Sequence, residues 1–349
     1  MSTIELVRER LAEVRPPGLN RDIVAGGLVR DVALRDGVAV VHLMPGPLPP
    51  PIVDATVADI ERAVGALPGV TRVDVQIVRG AAQSMTAIPG VADIVAVAST
   101  KGGVGKSTVA VNLACALARL GKRVGLLDAD IYGPSLPTML GLSGRPRVID
   151  QSRVVPLEKF GLRVISMGFF LDDTSPVIWR GPLVTGLLRQ FLKDVEWGEL
   201  DVLIVDLPPG TGDVPLTLAQ QVPLSGGVVV TTPQDVSVID VERGIAMFQQ
   251  VNAPLLGIIE NMSDYVCPHC GTHDAIFGSG GAARLAEHFG VPMLARLPIE
   301  PAVREAGDAG VPIVLAQPEH AVSRAYVVVA ERVLDGIAAE RDAVPRIVG

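Results

Sequence analysis

The apolar positions of this chain follow two patterns, which divide it near residue 80. Before that point, apolar residues recur at helical spacing in residues 6–14 and 54–67, and extended runs cover residues 28–34, 38–44 and 72–78. Asp36 and Gly37 lie between the first two runs and form a hairpin turn signal. Residues 45–51 hold five prolines and predict a stiff loop, neither helix nor central strand. We therefore predict a small α+β domain over residues 1–80.

From residue 94 onward, short and continuously apolar runs alternate with helical stretches. The runs are residues 94–98, 124–127, 202–205, 227–231 and 255–259, and the helical stretches include 106–120, 183–195, 237–249 and 322–338. Continuous apolar runs are typical of strands that are covered on both faces. We predict an α/β domain with a doubly wound, mostly parallel sheet over residues 93–349. The small residues of 81–92 predict a linker between the two domains.

Composition and charge narrow the class of protein. Hydrophobic residues make up 48% of the 349 positions but aromatics only 3%, so a large core must be built from aliphatic side chains. The net charge of −8 argues against a non-specific nucleic-acid partner. The charged N-terminus lacks the apolar region of a secretory signal, and no uncharged apolar run is long enough to span a membrane. We expect a cytoplasmic protein without a membrane partner.

The strongest motif is a glycine-rich segment between an apolar strand and a helix. It consists of Thr100, Lys101, Gly102, Gly103, Val104, Gly105, Lys106, Ser107 and Thr108. Such a segment curls so that its backbone N–H groups and the start of the helix face a phosphate. Lys106 would neutralise the β- and γ-phosphates and Ser107 would hold Mg²⁺. Thr100 replaces the first glycine of the general P-loop, but the deviant Walker A form is met in full, so a chance glycine-rich turn is disfavoured.

Carboxylates close two of the apolar strands. Asp206 follows residues 202–205 and fits a Walker B acid aimed at Mg²⁺, and Gly210 in the next loop could bring its N–H group close to the γ-phosphate. Asp128 and Asp130 follow residues 124–127 and would reach the same carboxyl edge of the sheet. Asp130 is the candidate for orienting the attacking water, and Asp128 for accepting hydrogen bonds at the strand end.

Five stretches make the chain resemble the Mrp/ApbC-type iron–sulfur cluster carrier ATPases, SIMIBI-class relatives of MinD and ParA. They are STKGGVGKSTVAVNLA, LLDADIYGPSLPTMLG, VDLPPGTGD, IIENMSDYVCPHC and IFGSGGA. The resemblance implies a homodimeric ATPase that takes clusters from donors and passes them to apoproteins. It implies that Lys101 reaches the partner's ATP, that Asn261 contacts adenine and that residues 297–301 close over the base. Residues 1–80 are similar to the SufT/PaaD-like iron–sulfur assembly domain.

Two of the three cysteines form a Cys-x-x-Cys pair, Cys267 and Cys270, in a gap of about twenty residues between a strand and a helix. Two thiolates at this spacing can reach one metal centre, and two chains related by a twofold axis would supply four. The resemblance favours a bridging [4Fe–4S] cluster. A zinc site of four thiolates fits the same spacing, as does a thiol–disulfide motif.

Three functions therefore compete at this point. The first is an ATP-dependent cluster carrier, and the second is a positioning ATPase of the MinD/ParA type. The second would need a membrane-binding tail or a basic DNA-binding face, and the C-terminal residues 322–349 are not rich in Lys or Arg on one face. The third is a thiol oxidoreductase with a vestigial nucleotide site.

Overall fold

The computed structural model describes residues 3–16, 22–24, 28–35, 37–43, 50–77, 87–131, 133–150, 153–170, 181–210, 213–220, 222–234, 236–267 and 269–343. The chain divides into two compact units, Met1–Ser84 and Met85–Gly349. None of the helices in these described ranges combines the length and the apolar character needed to cross a membrane. The domain limits predicted above, 1–80 and 93–349 with a linker over 81–92, stay a prediction.

The N-terminal unit has the predicted order of elements. They are α1 (Thr3–Leu11), β1 (Val29–Arg35), β2 (Val38–Leu43), α2 (Pro50–Gly65) and β3 (Arg72–Ile77). β2 is the central strand, antiparallel to β1 and parallel to β3. Alternate residues of β2 are buried because successive side chains of a strand point to opposite faces, and Ala39, Val41 and Leu43 face the core.

The predicted end of the proline-rich loop in this unit is wrong. The proline-rich loop was predicted to extend to residue 51, but α2 begins at Pro50. Proline is tolerated in the first turn of a helix because the N–H groups there have no partner within the helix. Residues 45–49 of that loop, residue 44 of the predicted extended run and Asp36 of the predicted turn lie outside the described residues. Gly37 has φ +80°, the left-handed conformation that a tight turn requires.

The second unit alternates strands and helices along most of its length. Its elements are β4 (Val91–Ala98), α3 (Lys106–Arg119), β5 (Val124–Asp128), α4 (Leu136–Met139), β6 (Arg147–Ile149), β7 (Arg153–Val155), β8 (Leu157–Lys159), β9 (Leu162–Ser166), α5 (Gly181–Asp194), β10 (Leu200–Asp206), α6 (Asp213–Ala219), β11 (Gly226–Thr231), α7 (Val236–Gln250), β12 (Leu255–Val266), β13 (His273–Asp274), α8 (Gly281–Phe289), β14 (Met293–Ile299), α9 (Pro301–Asp308), α10 (Ile313–Ala316) and α11 (Ala321–Ala343).

These strands form a nine-stranded sheet within the described residues. Its order is β13-β12-β11-β4-β10-β5-β9-β8, with β14 also paired to β12. All pairs are parallel except the edge pairs β12–β13 and β8–β9. The predicted doubly wound, mostly parallel sheet is confirmed, and β6 and β7 form a separate hairpin.

Two buried clusters lie on opposite faces of the sheet, which explains the continuous apolar runs. Along β4, Val95 and Val97 belong to one cluster with residues of α3 and α11. Ala96 and Ala98 belong to the other cluster with residues of α5, α7 and α8. Because both faces of a central strand are covered, apolar residues follow one another along residues 94–98, and the alternation seen in β2 disappears.

Some limits of elements differ from those predicted. β4 begins at Val91, so the last residues of the predicted linker are part of the sheet, and residues 78–86 lie outside the described residues. β9 and β14 were not predicted, since each is interrupted by an arginine, Arg163 or Arg296. β12 continues from Ile259 to Val266 and takes up much of the predicted twenty-residue gap.

Candidate functional site

The glycine-rich segment connects β4 to α3 at the carboxyl edge of the sheet. Gly103 and Gly105 have φ values of +79° and +83°, which L side chains rarely adopt. α3 begins at Lys106, and its N-cap is Gly105, which has no side chain to cap the first N–H groups. Those N–H groups and the positive end of the helix dipole can therefore face an anion.

Lys106 and Asp206 form an ion pair behind this loop. Lys106 Nζ lies 2.6 Å from Asp206 Oδ1, and the two side chains are 5% and 0% exposed. The same ammonium group lies 3.2 Å from Ser107 Oγ. Burial raises the pKa of Asp206, while Lys106 and Ser107 act in the opposite direction. The structure thus brings together three side chains that the sequence assigned to one site.

The second carboxylate oxygen of Asp206 is unsatisfied. Asp206 Oδ2 is buried and has no hydrogen-bond partner among the described residues. Leaving such an oxygen unpaired costs about 1–3 kcal/mol or more, so it calls for a ligand. A hydroxyl oxygen and a carboxylate oxygen beside a phosphate-binding loop are the donors that Mg²⁺ prefers. The residues present therefore fit a Mg²⁺ ion.

Asp128 lies next to Asp206 in the sheet. The ladder pairs Asp206 with Asp128 and Asp128 with Ser166. Asp128 is fully buried and accepts hydrogen bonds from Ser166 Oγ at 2.9 Å and from the Asp130 N–H group at 3.1 Å. Burial, followed by the charge of Asp206, raises the pKa of Asp128 to about 7 against these hydrogen bonds. Ser166 was missed by the sequence analysis because β9 was not predicted.

The raised pKa of Asp128 predicts a pH-dependent stability for the metal-free protein. An unfolded aspartate has a pKa of about 4, so the native state binds the extra proton between pH 4 and the pKa of about 7. The contribution of Asp128 to the free energy of unfolding should fall as pH rises through this range and then stay constant. We expect the difference between wild type and Asp128→Asn in urea denaturation to change between pH 5 and pH 7.5. A difference that does not vary with pH would contradict this assignment.

Three further residues of the predicted site, Gly210, Asp130 and Lys101, lie at the same edge of the sheet. The Gly210 N–H group donates to Ser99 O at 2.8 Å, and Gly210 has φ +100°. This N–H group would have to leave Ser99 in order to reach a γ-phosphate. Asp130 is 9% exposed and follows β5 at the same edge of the sheet. Lys101 is half-buried.

Asn261 packs against the glycine-rich loop. Its Nδ2 atom donates to Val104 O at 2.9 Å. A Cβ atom at Gly105 would lie only 2.2 Å from Asn261 Nδ2, so this approach requires glycine. A cavity of about 660 Å³ adjoins the start of α3; its lining includes Gly105, Thr108, Asn261, Pro298, Ile299 and Tyr326. Residues 297–300 therefore lie beside Asn261. Closure of the segment 297–301 over the base stays a prediction.

The cysteine pair lies in a hairpin turn and not in the long loop that was predicted. β12 pairs with β13 through Tyr265 and Val266, and the Cys267 N–H group donates to Thr272 O at 2.9 Å. The loop prediction was wrong because the polar end of β12 carries no apolar pattern. Cys267 is half-buried and Cys270 exposed, while Pro268 lies outside the described residues.

The surroundings of Cys270 favour its thiolate form. Cys270 Sγ lies 3.2 Å from Thr272 Oγ1, and hydrogen bonds from Thr272 and then Cys267 lower the pKa of Cys270. Thiolates are the form that binds metals. No group of three or more His, Cys, Asp or Glu side chains able to hold a metal occurs among the described residues. One chain therefore offers two thiols at this position.

The third cysteine has a different environment. Cys115 on α3 is buried, and burial raises the pKa of its thiol to about 12. It is a small hydrophobic residue of the core. A contact that was not predicted joins His273 Nδ1 to Asp264 Oδ2 at 2.6 Å, next to the cysteine turn.

A glycine-rich loop that opens a helix, with a buried lysine–aspartate pair at the carboxyl edge of a parallel sheet, defines a P-loop NTPase. The model of the NUBPL iron-transfer P-loop NTPase family matches residues 90–334. A second family model, described as iron-sulfur cluster assembly protein, matches residues 4–75. The chain belongs to the NUBPL iron-transfer P-loop NTPase family, and the resemblance inferred from the motifs is confirmed.

Two relatives carry the name iron-sulfur cluster carrier protein. The protein from Synechocystis sp. is 46% identical over 343 residues, which cover 95% of this chain and 97% of the relative. The protein from Aquifex aeolicus is 44% identical over 351 residues, which cover 93% and 94% of the two chains.

Solved structures show the same fold. A nucleotide-binding protein from Archaeoglobus fulgidus, solved in complex with ADP, is 41% identical and has a TM-score of 0.57 over 63% of this chain and 87% of that chain. The cell division ATPase MinD from Pyrococcus furiosus has a TM-score of 0.52 over 70% of this chain and 98% of that chain. At 23% identity, the likeness to MinD shows the fold alone.

Proposed function

We propose that this protein is an ATP-hydrolysing carrier that binds iron–sulfur clusters and transfers them to apoproteins. The observation that carries the proposal is the presence, in one compact unit, of a P-loop with its buried ion pair and an accessible thiol pair in a tight turn. The names of the relatives from Synechocystis and Aquifex support it. The cluster is cargo in this account, and the nucleotide is what the protein hydrolyses. The cytoplasmic location stays a prediction.

The nucleotide phosphates would be held by the loop between β4 and α3. Backbone N–H groups of residues 101–107 face the phosphate oxygens, and Lys106 supplies positive charge to the β- and γ-phosphates. Ser107 Oγ and Asp206 Oδ2 would hold Mg²⁺, which when bound neutralises charge on those phosphates. The ion pair with Asp206 at 2.6 Å holds the ammonium group of Lys106 beside the loop. The ADP in the Archaeoglobus relative supports a nucleotide at this loop.

The base would occupy the 660 Å³ cavity at the start of α3. Asn261 offers an amide to the base edge, and Pro298 and Ile299 offer apolar surface to its face. The cavity begins at Gly105 and Thr108, so a nucleotide bound to the loop extends into it without a gap. A volume of this size is in the usual range for ligand pockets.

Hydrolysis in this proposal needs two further groups and a second chain. Asp130 at the end of β5 orients the attacking water, and the Gly210 N–H group approaches the γ-phosphate after leaving Ser99. Lys101 of each protomer contributes positive charge to the ATP held by its partner in a homodimer. Asp128 supports this edge of the sheet through its bonds to Ser166 and Asp130.

The same dimer explains how two thiols per chain hold a cluster. A [4Fe–4S] cluster usually takes four thiolates, and a twofold axis through the turn of Cys267 and Cys270 supplies them. The exposure of Cys270 leaves it accessible to a second chain, a cluster donor or an apoprotein recipient. Four thiolates would bind zinc as well, so metal analysis separates the two outcomes.

Anaerobic reconstitution with iron and sulfide tests the proposal. Wild type should take up a cluster that gives the broad absorbance of thiolate-bound clusters at about 400 nm. The double variant Cys267→Ser/Cys270→Ser should bind none. Cys115→Ser is the matched control, because its buried thiol lies in the core and should not affect loading. Zinc without iron in the wild type, or a cluster that survives in the double variant, would overturn the carrier function.

A further inference from the structure

Strand β12 links the P-loop directly to the cysteine turn. Asn261 contacts the P-loop from this strand, and Cys267 follows its last residue, Val266. Six residues of chain span at most about 20 Å, so a short stretch of one strand joins the two sites. A displacement of the strand at Asn261 can therefore be carried along the backbone to Cys267.

The P-loop end of the strand is closely coupled. Asn261 Nδ2 donates to the carbonyl oxygen of Val104, a residue of the loop itself. The same amide lies so near Gly105 that a methyl group there would clash with it at 2.2 Å. Through this hydrogen bond and this close approach, a change in the loop backbone around Gly105 would shift the amide of Asn261.

The strand is fixed just before this contact. Glu260 is fully buried, and its carboxylate accepts hydrogen bonds from Arg296 Nε at 2.7 Å and from the Ala282 N–H group at 3.2 Å. These bonds hold β12 to β14 and to the start of α8. The strand is therefore anchored on the side of Asn261 that is farther from the cysteine turn.

The segment after Asn261 is the part of β12 that can change shape. Met262 has φ +56°, an uncommon conformation for a residue with a side chain. The ladder to β14 pairs Asn261 with Leu297 and then Tyr265 with Ile299, so residues 262–264 bulge opposite Pro298. Backbone strain of about 1–3 kcal/mol is small enough for a ligand to shift the balance between two arrangements.

The cysteine end of the strand is tied across the hairpin. Asp264 Oδ2 lies 2.6 Å from His273 Nδ1, and Asp264 Oδ1 accepts a hydrogen bond from Ser263 Oγ at 2.7 Å. Asp264 belongs to the bulge, which precedes the cysteine turn, and His273 belongs to β13, which follows the turn. This bond therefore passes a movement of the bulge to both ends of the turn.

We propose that residues 262–264 relay nucleotide occupancy from the P-loop to the thiols, with Asp264 and His273 as positioning residues for Cys267 and Cys270. The relay rests on the nucleotide-binding part of the proposed function and does not require that a cluster be bound. It names the structural path by which ATP controls how firmly the thiols hold their cargo. Asp264 and His273 act through the turn and contact neither nucleotide nor cargo in this account.

Alkylation of the metal-free, full-length protein tests the relay. The rates at which iodoacetamide labels Cys267 and Cys270 would be measured by mass spectrometry at one pH, without nucleotide and with saturating ADP or a non-hydrolysable ATP analogue. We expect nucleotide to change the rates in wild type by about fivefold or more, the usual scale of coupling between sites. Cys115 is buried with a raised pKa, so it serves as an unreactive internal reference.

His273→Ala should make the rates with and without nucleotide equal, while the dissociation constant for ADP stays the same. His269→Ala is the matched control: it removes an exposed histidine of the same turn that has no hydrogen bond to a described residue, and the nucleotide effect should persist. Asp264→Asn is the second variant if His273→Ala fails to fold, with the same expected loss.

The outcomes separate the relay from the carrier function. Equal rates in wild type with nucleotide bound, or a nucleotide effect that survives in both His273→Ala and Asp264→Asn, would overturn the relay. A nucleotide effect in a protein that takes up no cluster would support the relay and reject the carrier function. Failure to bind any nucleotide would reject both.

Discussion

Replacement of Lys106 by methionine should abolish ATP hydrolysis and also lower the free energy of unfolding by about 3 kcal/mol or more. The first effect follows from the loss of the positive charge on the phosphates, and the second from the ion pair at 2.6 Å. Asp206 is fully buried and would lose the cationic partner of this pair, so its carboxylate form would be uncompensated at neutral and higher pH. Removing one member of a buried ion pair is far more destabilising than removing both members.

The double variant Lys106→Met/Asp206→Asn separates the two effects. It should recover most of the stability in urea denaturation, since no uncompensated charge remains, but none of the ATPase activity. The pH dependence has a definite sign: burial raises the pKa of Asp206, and loss of Lys106 raises it further. The native variant then binds a proton more readily than its unfolded chain, so the destabilisation should be smaller at pH 5 than at pH 8. A single variant as stable as wild type would show that the pair is not the buried contact seen here.

The placement of these two residues could be predicted because each belongs to a local pattern. Lys106 lies in a motif that fixes its own backbone, and Asp206 ends a continuously apolar run. Parallel strands bring their carboxyl ends to one edge, so the two side chains had to lie near each other. Periodicity and one motif were sufficient for this part of the site.

The contacts of Asp128 and Asp264 could not be predicted in the same way. Ser166 reaches Asp128 only because β9 lies next to β5, and neither the existence of β9 nor the strand order follows from its short run. Asp264 and His273 belong to a polar edge of the sheet. There, β12 is a strand because it pairs with β13 and β14, and its sequence shows no apolar pattern. Pairing between strands distant in sequence therefore determines these contacts, which the local sequence pattern does not predict.

The other large effect is expected at Lys101. Loss of a positive charge supplied to the transition state by a second chain reduces kcat by about 10³-fold or more. We therefore expect Lys101→Ala to bind ATP with nearly unchanged affinity and to hydrolyse it about 10³-fold more slowly. Lys106, Asp206 and the other residues of the glycine-rich loop are unchanged in this variant, so an effect on the nucleotide dissociation constant as large as that on kcat would indicate a role within the same chain.

Mixing two inactive variants distinguishes action across the dimer from action within one chain. Asp206→Asn retains Lys101 but lacks the Walker B acid, and Lys101→Ala retains its own Asp206. In a mixed dimer, the site built on the Lys101→Ala protomer has its own Lys106 and Asp206 and receives Lys101 from its partner. Half of the dimers in an equal mixture are mixed and each has one complete site, so activity should return to about a quarter of the wild-type value. No recovery, with mixed dimers shown by native mass spectrometry, would place Lys101 in the active site of its own chain and remove the reason for a catalytic dimer.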